Sequence, residues 1–276
     1  MSILDDISKT IIDASTTLSC DKYDALKRAI ELEDNENAKW ALEQILENYK
    51  VAQDIKFPLC DDTGIPHVIV EIGDERELSG KLINQIHRGI ELGLNNLPAR
   101  PMAVIGDEVQ RINQSEGLFE KPGMLRPAPI LIDNGLDEHS YKRDISPDTL
   151  NIHFILEGGG PEIRAKTLRV YHKRSFDNVI NTACEWLEES LKMLGCTPSI
   201  PAIGIGRTHY EATSLLLKAI AYGNLDNQSE HEKRITNRLN KTDIGPMGFG
   251  GKTTVLGTYL NIGNQRASGV RIVSIR

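Results

Sequence analysis

This sequence predicts a mixed α/β, helix-rich fold in which a helical N-terminal layer packs on short mixed β-sheets. Three observations carry that expectation. Apolar residues recur at helical spacing through residues 2–56, short apolar runs alternate with helical stretches beyond residue 57, and Gly/Pro-rich turns separate the two kinds of element. The 276 residues are 39% hydrophobic, enough for a core. They read as one domain, 1–276, with a helical layer over 1–56 and the chemistry in 57–276.

In the first layer Ile3, Leu4, Ile7, Ile11 and Ile12 share a helical stripe, as do Tyr23, Leu26 and Ile30, and then Trp40, Ile45 and Leu46. Asp34 or Asn35 caps the third helix. His67–Ile72 reads as a strand and Leu78–Leu94 as a helix. Residues 101–148 are rich in Pro, Gly and Asp around a short apolar piece, Ala128–Asp133. Leu150–Leu156 reads as a strand running into Gly158-Gly159-Gly160. A helix over Phe176–Leu194 follows, then a strand at Ile200–Ile205, helices at His209–Tyr222 and Ser229–Leu239, and strands at Thr253–Ile262 and Val270–Ile275. There is no internal repeat and no low-complexity linker.

The formal net charge of −7 argues against nucleic acid and anionic membranes as partners. No apolar run approaches the roughly 18–20 residues that span a bilayer. The acidic start, Met1 to Asp6, lacks the basic and apolar regions of a signal peptide, so a cytoplasmic location is expected. Four cysteines, Cys20, Cys60, Cys184 and Cys196, are too sparse for a disulfide scaffold. In a reducing compartment they are structural thiols or metal ligands.

Two of them lie in Gly/Pro turns, Pro58-Leu-Cys-Asp-Asp-Thr-Gly64 and Gly195-Cys-Thr-Pro198. Such a turn suits a thiolate pointed at a metal better than a packed core residue. Asp61 and Asp62 disfavour a nucleophilic Cys60, because their charges oppose a thiolate; a bound cation reverses that logic. Without a metal, the turn reads as a cysteine beside a solvated acidic loop, and the residues alone leave both readings open. Gly195 suits the position after a helix end, and Pro198 prevents continuation. Gly204-Ile-Gly-Arg-Thr208, between strand and helix, either presents N–H groups to an anion or is a plain connection. Gly158–Gly160 permits close backbone approach of a ligand. Gly248–Gly251 with Lys252 resembles a phosphate loop, but Pro246 stands where the first glycine belongs, and a strand rather than a helix follows; nucleotide binding is not expected. Cys184, inside a helix, and Cys20, at a helix boundary, read as structural. The seven histidines show no paired zinc spacing.

Taken together, the motifs resemble those of the alpha subunit of iron–sulfur hydro-lyases, the class I fumarate hydratase and L(+)-tartrate dehydratase family. Pro58–Gly64 is similar to that family's Pro-Leu-Cys-Gln-Asp-Thr-Gly. Cys196–Thr208 is similar to its Cys-Pro-Pro followed by Gly-Ile-Gly-Gly-Thr, and Gly245–Thr254 to its Gly-Pro-x-Gly-x-Gly-Gly-Lys/Arg-Thr-Thr. The triple glycine matches Gly158–Gly160, and the resemblance runs the length of the chain. It implies a [4Fe–4S] cluster held by three cysteines, with one iron open as a Lewis acid, and water added or removed beside a carboxylate of a small hydroxy-dicarboxylate. Under it Cys60 and Cys196 are cluster ligands, and Asp62 and Arg100 are catalytic, Arg100 clamping a substrate carboxylate. Asp61, Thr63, Gly158, Gly159, Gly160, Arg207 and Lys252 line the substrate pocket. A beta subunit is the expected partner, in a hetero-oligomer or a homodimer.

The chain also departs from the pattern. The third cysteine falls just past Arg276, and a histidine implicated in acid–base work is Gln265, which exchanges no proton near neutral pH. Asp61 replaces a Gln, Pro161 a Ser, and Arg207 a Gly. Three readings follow: a hydro-lyase whose third ligand comes from Cys184, Cys20 or the partner; a divergent member acting on tartrate or another carboxylate; and a non-catalytic paralogue that serves as a binding or assembly partner.

Overall fold

A computed structural model describes residues 2–125, 128–136, 139–141 and 143–276. In chain order the elements are α1 (Ile3–Thr16), α2 (Cys20–Leu32), α3 (Glu36–Ile55), β1 (Ile65–Ile72), α4 (Gly80–Asn96), α5 (Glu108–Asn113), β2 (Ile130–Asp133) and β3 (Leu150–Glu157). Then come α6 (Gly159–Glu162), β4 (Lys166–Tyr171), α7 (Phe176–Lys192), β5 (Ala202–Gly206), α8 (His209–Tyr222), α9 (Glu230–Leu239), β6 (Tyr259–Ile262) and β7 (Val270–Ile275). This is the mixed, helix-rich α/β class that the sequence predicts. The chain forms two compact units: Met1–Thr17, Asn48–Ile132 and Ile145–Gly159 make the first, and Leu18–Glu47, Asp133–Asp144 and Gly160–Arg276 the second.

In the first unit, α1 starts with a capping box, Ser2 and Asp5 satisfying each other's backbone N–H groups. Ser79 caps α4 by accepting from the Leu82 N–H. Helices α1 and α4 lie close because Gly89 and Gly93 offer no side chain; a Cβ on Gly89 would fall 2.6 Å from Ile7. The core joins Ile7 and Ile11 of α1, Ile86, Ile90 and Leu94 of α4, and Val68 and Val70 of β1. Burying each such side chain contributes about 1.5–3 kcal/mol. The sheet has the order β2-β1-β3. Strands β1 and β3 are antiparallel, in register from Ile65 opposite Glu157 to Ile72 opposite Leu150. That register sets the segment before β1 beside the segment after β3, so the Cys60 turn and the start of the glycine turn share one end of the sheet.

The second unit holds a sheet of order β4-β7-β5-β6, with β5 and β6 parallel and the other pairs antiparallel. Helices α8 and α9 form the crossover that a parallel pair requires. Ile203 and Ile205 pack with Val179, Ile180, Ala183 and Leu187 of α7. Alternate residues face the other way, and there α8 approaches so closely that a Cβ on Gly204 would lie 2.1 Å from the Ala212 carbonyl. Gly204 therefore serves helix packing, the plain-connection reading of Gly204–Thr208. Ala25 of α2 packs with Ala202 and Tyr259, and Leu26 and Ala29 pack with Leu42 of α3.

Three expectations are corrected. The strand expected over Thr253–Ile262 is confined to Tyr259–Ile262. Upstream, the N–H groups of Thr254 and Val255 both donate to Asn240 Oδ1, at 2.9 and 2.8 Å, instead of running in a ladder. Strand β4 was not anticipated. It is an edge strand whose Leu168 and Tyr171 are exposed, so its sequence alternates only weakly. Trp40 is 58% exposed and lies off the packed face of α3. Asn35 is the cap of α3, accepting from the N–H groups of Asn37 and Ala38. Among the described residues no helix is long and apolar enough to cross a membrane.

An ion pair is buried in the second unit. Lys218 Nζ lies 3.2 Å from Asp133 Oδ2, with side chains 2% and 4% exposed. The Tyr222 hydroxyl and the Gly135 N–H donate to the same carboxylate. Burial pushes the Asp133 carboxyl up, but the Gly135, Lys218 and Tyr222 contacts outweigh it and hold the group below its usual 3.8. A depressed carboxylate contributes stability above its unfolded pKa and loses it as pH falls through the folded one. Asp133→Ala removes the buried anion that Lys218, Tyr222 and the Gly135 N–H all contact, so it costs about 3–5 kcal/mol at pH 7. Thermal melts of both proteins at pH 7 and pH 2 check this: the gap in Tm narrows at the lower pH.

Candidate active site

The Cys60 turn is anchored at both ends within the first unit. The Leu59 N–H donates to the Ser15 carbonyl at 2.9 Å, and Asn48 Nδ2 donates to the Leu59 carbonyl at 3.0 Å. Gly64 has φ +95°, and a Cβ there would lie 2.7–2.8 Å from the backbone of Leu156 and Glu157. Only glycine enters β1 at that point.

Between these anchors the four polar residues are disposed differently. Cys60 is an exposed free thiol. Asp61 Oδ2 lies 3.0 Å from Arg100 NH1, the two side chains being 81% and 51% exposed. Asp62 Oδ2 accepts the Gly159 N–H at 2.6 Å, a charge-assisted bond that ties the cysteine turn to the glycine turn. Thr63 is buried, and its hydroxyl has no hydrogen-bond partner. An unmet buried hydroxyl costs about 1–3 kcal/mol, so Thr63 Oγ1 is a group that a ligand can satisfy. Gly158 and Gly159 leave this wall without side chains, and a Cβ on Gly159 would come 3.0 Å from Asp62 Oδ2. Cys60, Asp61, Asp62, Thr63, Arg100, Gly158 and Gly159 are thus all in the first unit.

The second unit holds the rest. Cys196 is likewise an exposed free thiol. The residue after it, Thr197, is buried and donates its hydroxyl to the Gly245 carbonyl, while the Met247 N–H donates to the Thr197 carbonyl at 2.9 Å. The turn is therefore fastened to the glycine-rich loop. That loop fills its own amides with carboxylates: Gly251 N–H donates to Asp243 and Lys252 N–H to Glu33, at 3.2 and 2.8 Å. Lys252 Nζ lies 2.6 Å from Asp34 and donates to the Leu32 carbonyl at 3.2 Å. The hydrogen bond from Lys252 holds the Asp34 carboxyl below the usual carboxylate range. These contacts direct Lys252 to the α2–α3 turn.

Arg207 emerges from the opposite end of β5. Cys196 precedes this five-residue strand and Arg207 follows it, so about 16 Å of strand separates their ends. The Arg207 guanidinium spreads over Glu211, with Nε at 2.9 and 3.0 Å and NH2 at 2.7 Å. Gln265 Nε2 donates to the Ile205 and Gly263 carbonyls at 3.2 and 2.8 Å. The Gly160 carbonyl accepts from Arg164 NH1 at 2.9 Å. Arg164 also reaches the Met193 carbonyl and so pins the glycine turn to the end of α7. Sequence reasoning missed Arg164; its signal was an arginine four residues beyond a glycine run.

The thiols divide by environment. Burial in the α7 core pushes the Cys184 thiol up to about 11, which keeps it protonated near neutral pH in the free chain. Cys60 and Cys196, each exposed in a turn of its own unit, are the two accessible turn thiols. A complete set does not emerge here, because among the described residues no three His, Cys, Asp or Glu side chains group as a metal site. Iodoacetamide at pH 8 is expected to modify Cys20, Cys60 and Cys196 in the native protein, and Cys184 only after unfolding. Peptide mass mapping reads the difference.

The model of the family described as fumarate hydratase (Fumerase) matches residues 4–276. A putative L(+)-tartrate dehydratase subunit alpha of Methanocaldococcus jannaschii is 28% identical over 269 residues, covering 95% of this chain and 89% of that protein. The L(+)-tartrate dehydratase subunit alpha of Escherichia coli K12 is 26% identical over 254 residues, covering 89% of this chain and 77% of its own length. The protein of the same name from Shigella sonnei has the same identity and coverage.

Proposed function

The chain belongs to the fumarate hydratase (Fumerase) family, and from that premise we propose that it is the alpha component of an iron–sulfur hydro-lyase. It acts with a beta-type subunit on a small hydroxy-dicarboxylate and its dehydrated partner: malate and fumarate first, tartrate as the alternative. The observation that carries the reading is the reach of Arg100 to the Cys60–Gly64 turn, 3.0 Å from Asp61. That turn already presents an open thiol and an unmet hydroxyl.

The residues take complementary roles. Arg100 binds a substrate carboxylate through its fork of donors. Asp62 is oriented by the Gly159 N–H on Oδ2, which leaves Oδ1 to orient substrate or take a proton from water. Thr63 Oγ1 hydrogen-bonds the ligand, and Gly158 and Gly159 keep the wall open. Cys60 and Cys196 are the thiolates this chain supplies to a [4Fe–4S] cluster, and a third donor completes the set. When bound, the cluster supplies Lewis acidity to hydroxyl and carboxylate oxygens. Arg207 and Lys252, paired with Glu211 and Asp34 in the free chain, are further cations for a substrate carboxylate in this reading.

Anaerobic co-expression with a beta-type subunit, followed by hydration assays with fumarate and dehydration assays with tartrate, tests it. Arg100→Ala is expected to raise KM about tenfold or more, the loss of a charge-assisted carboxylate contact. An unchanged KM contradicts the assignment. A second, non-catalytic reading is favoured by one feature: the Gln265 amide is spent on two backbone carbonyls where proton exchange would be needed. A folded complex without turnover on either substrate selects that reading.

A further inference from the structure

Asp61 occupies the guanidinium that the proposed reaction reserves for substrate, with Oδ2 3.0 Å from Arg100 NH1. The two neighbouring carboxylates are used unequally. Asp62 is committed to the Gly159 N–H at 2.6 Å, whereas Asp61 is 81% exposed and meets only the half-exposed Arg100 in a pair open to solvent. An exposed ion pair of this kind is weak and exchanges readily. A ligand carboxylate can therefore take Arg100, but it displaces a fixed anion that stays within the same turn.

The displaced carboxylate keeps its charge and its acceptor oxygens beside the ligand, with water as its donor. A ligand that brings only carboxylates meets one guanidinium and two carboxylates, and like charges at short range oppose binding. A ligand with a hydroxyl on the carbon next to its carboxylate solves the problem. Its carboxylate goes to Arg100, and its hydroxyl, two bonds away, donates to Asp61. A hydroxyl-to-carboxylate bond is among the stronger hydrogen bonds. We propose that Asp61 is a specificity-determining residue: by holding Arg100 in the free protein and accepting a hydroxyl in the complex, it favours 2-hydroxy carboxylates over carboxylates that lack the hydroxyl. This rests on the role given to Arg100 above. It also names the substrate class at this position, a 2-hydroxy acid in preference to its dehydrated partner.

Malonate and tartronate (hydroxymalonate) are the probes, since they differ by one hydroxyl. Tartronate has a single carbon between its carboxylates, so neither probe can lose water across a C–C bond. Dissociation constants are measured by titration calorimetry on the iron-loaded complex, for wild type, Asp61→Ala, Asp61→Asn and Arg100→Ala. Wild type is expected to prefer tartronate. In Asp61→Ala, malonate binds about threefold tighter or better while tartronate does not, so the preference narrows by at least that factor. Asp61→Asn, which keeps an acceptor without the charge, falls between. Asp61 is exposed, and matching thermal melts show that the variants fold.

A preference for tartronate that is unchanged in Asp61→Ala overturns the role of Asp61. If binding in that case still weakens in Arg100→Ala, the hydro-lyase reading stands. No binding of either probe to wild type, or binding indifferent to Arg100→Ala, overturns the reading itself and this inference with it.

Discussion

The antiparallel register of β1 and β3 is the constraint on which the Cys60 site depends. Ile65 opposite Glu157 fixes which residues leave the sheet at the same end. A slip of one residue would turn every side chain of β1 to the other face and carry the Cys60 turn away from Gly158 and Gly159. The buried Val68 and Val70 on the core face make such a slip costly. Two local features complete the junction. Gly64 lets the turn pass within contact of the Leu156–Glu157 backbone, and Asp62 then takes the Gly159 N–H. The polar side chains of the turn are held by backbone geometry and not by one another, which leaves Cys60 exposed and the buried Thr63 hydroxyl without a hydrogen-bond partner.

The second unit secures its cysteine by another route. There the glycine-rich loop is a support and not an anion cradle, because Glu33 and Asp243 already accept from its amides. Its Gly245 carbonyl and Met247 N–H clasp Thr197, and Cys196 stands just outside the clasp. Gly204 supports the same arrangement from the strand side, since α8 packs directly on it. Gly204 and Gly245 thus serve close approach of backbone to backbone, whereas Gly195, beside Cys196, stands in open space at φ +75°.

Much of this was legible in the sequence. Helical stripes placed α1, α4, α7, α8 and α9 within a few residues, because each buries one face. The Cys60 motif and the triple glycine were singled out as separate features; their adjacency was not legible, since it arises from strand pairing between residues as far apart as Ile65 and Glu157. Lys252 and Arg207 are expected at the substrate by motif position, and their ion pairs with Asp34 and Glu211 were not legible in the motifs. A motif specifies residue types, whereas the partner of a long flexible cation depends on carboxylates elsewhere in the sequence. The edge strand β4 escaped notice because one buried residue, Val170, is too little pattern to read. The Asp133–Lys218 pair left one sign, a lysine inside the apolar stripe of α8.

The proposed function stands or falls with Cys60 and Cys196 as the thiolates this chain gives to an iron–sulfur cluster. Iron and sulfide analysis with EPR, on complexes purified anaerobically from wild type and from Cys60→Ser, Cys196→Ser and Cys184→Ser, addresses it directly. The account predicts about four irons per alpha chain in wild type, loss of most of that iron in Cys60→Ser and Cys196→Ser, and full retention in Cys184→Ser. A folded wild-type complex that takes up no iron, or a Cys60→Ser complex that keeps all of it, would contradict the account.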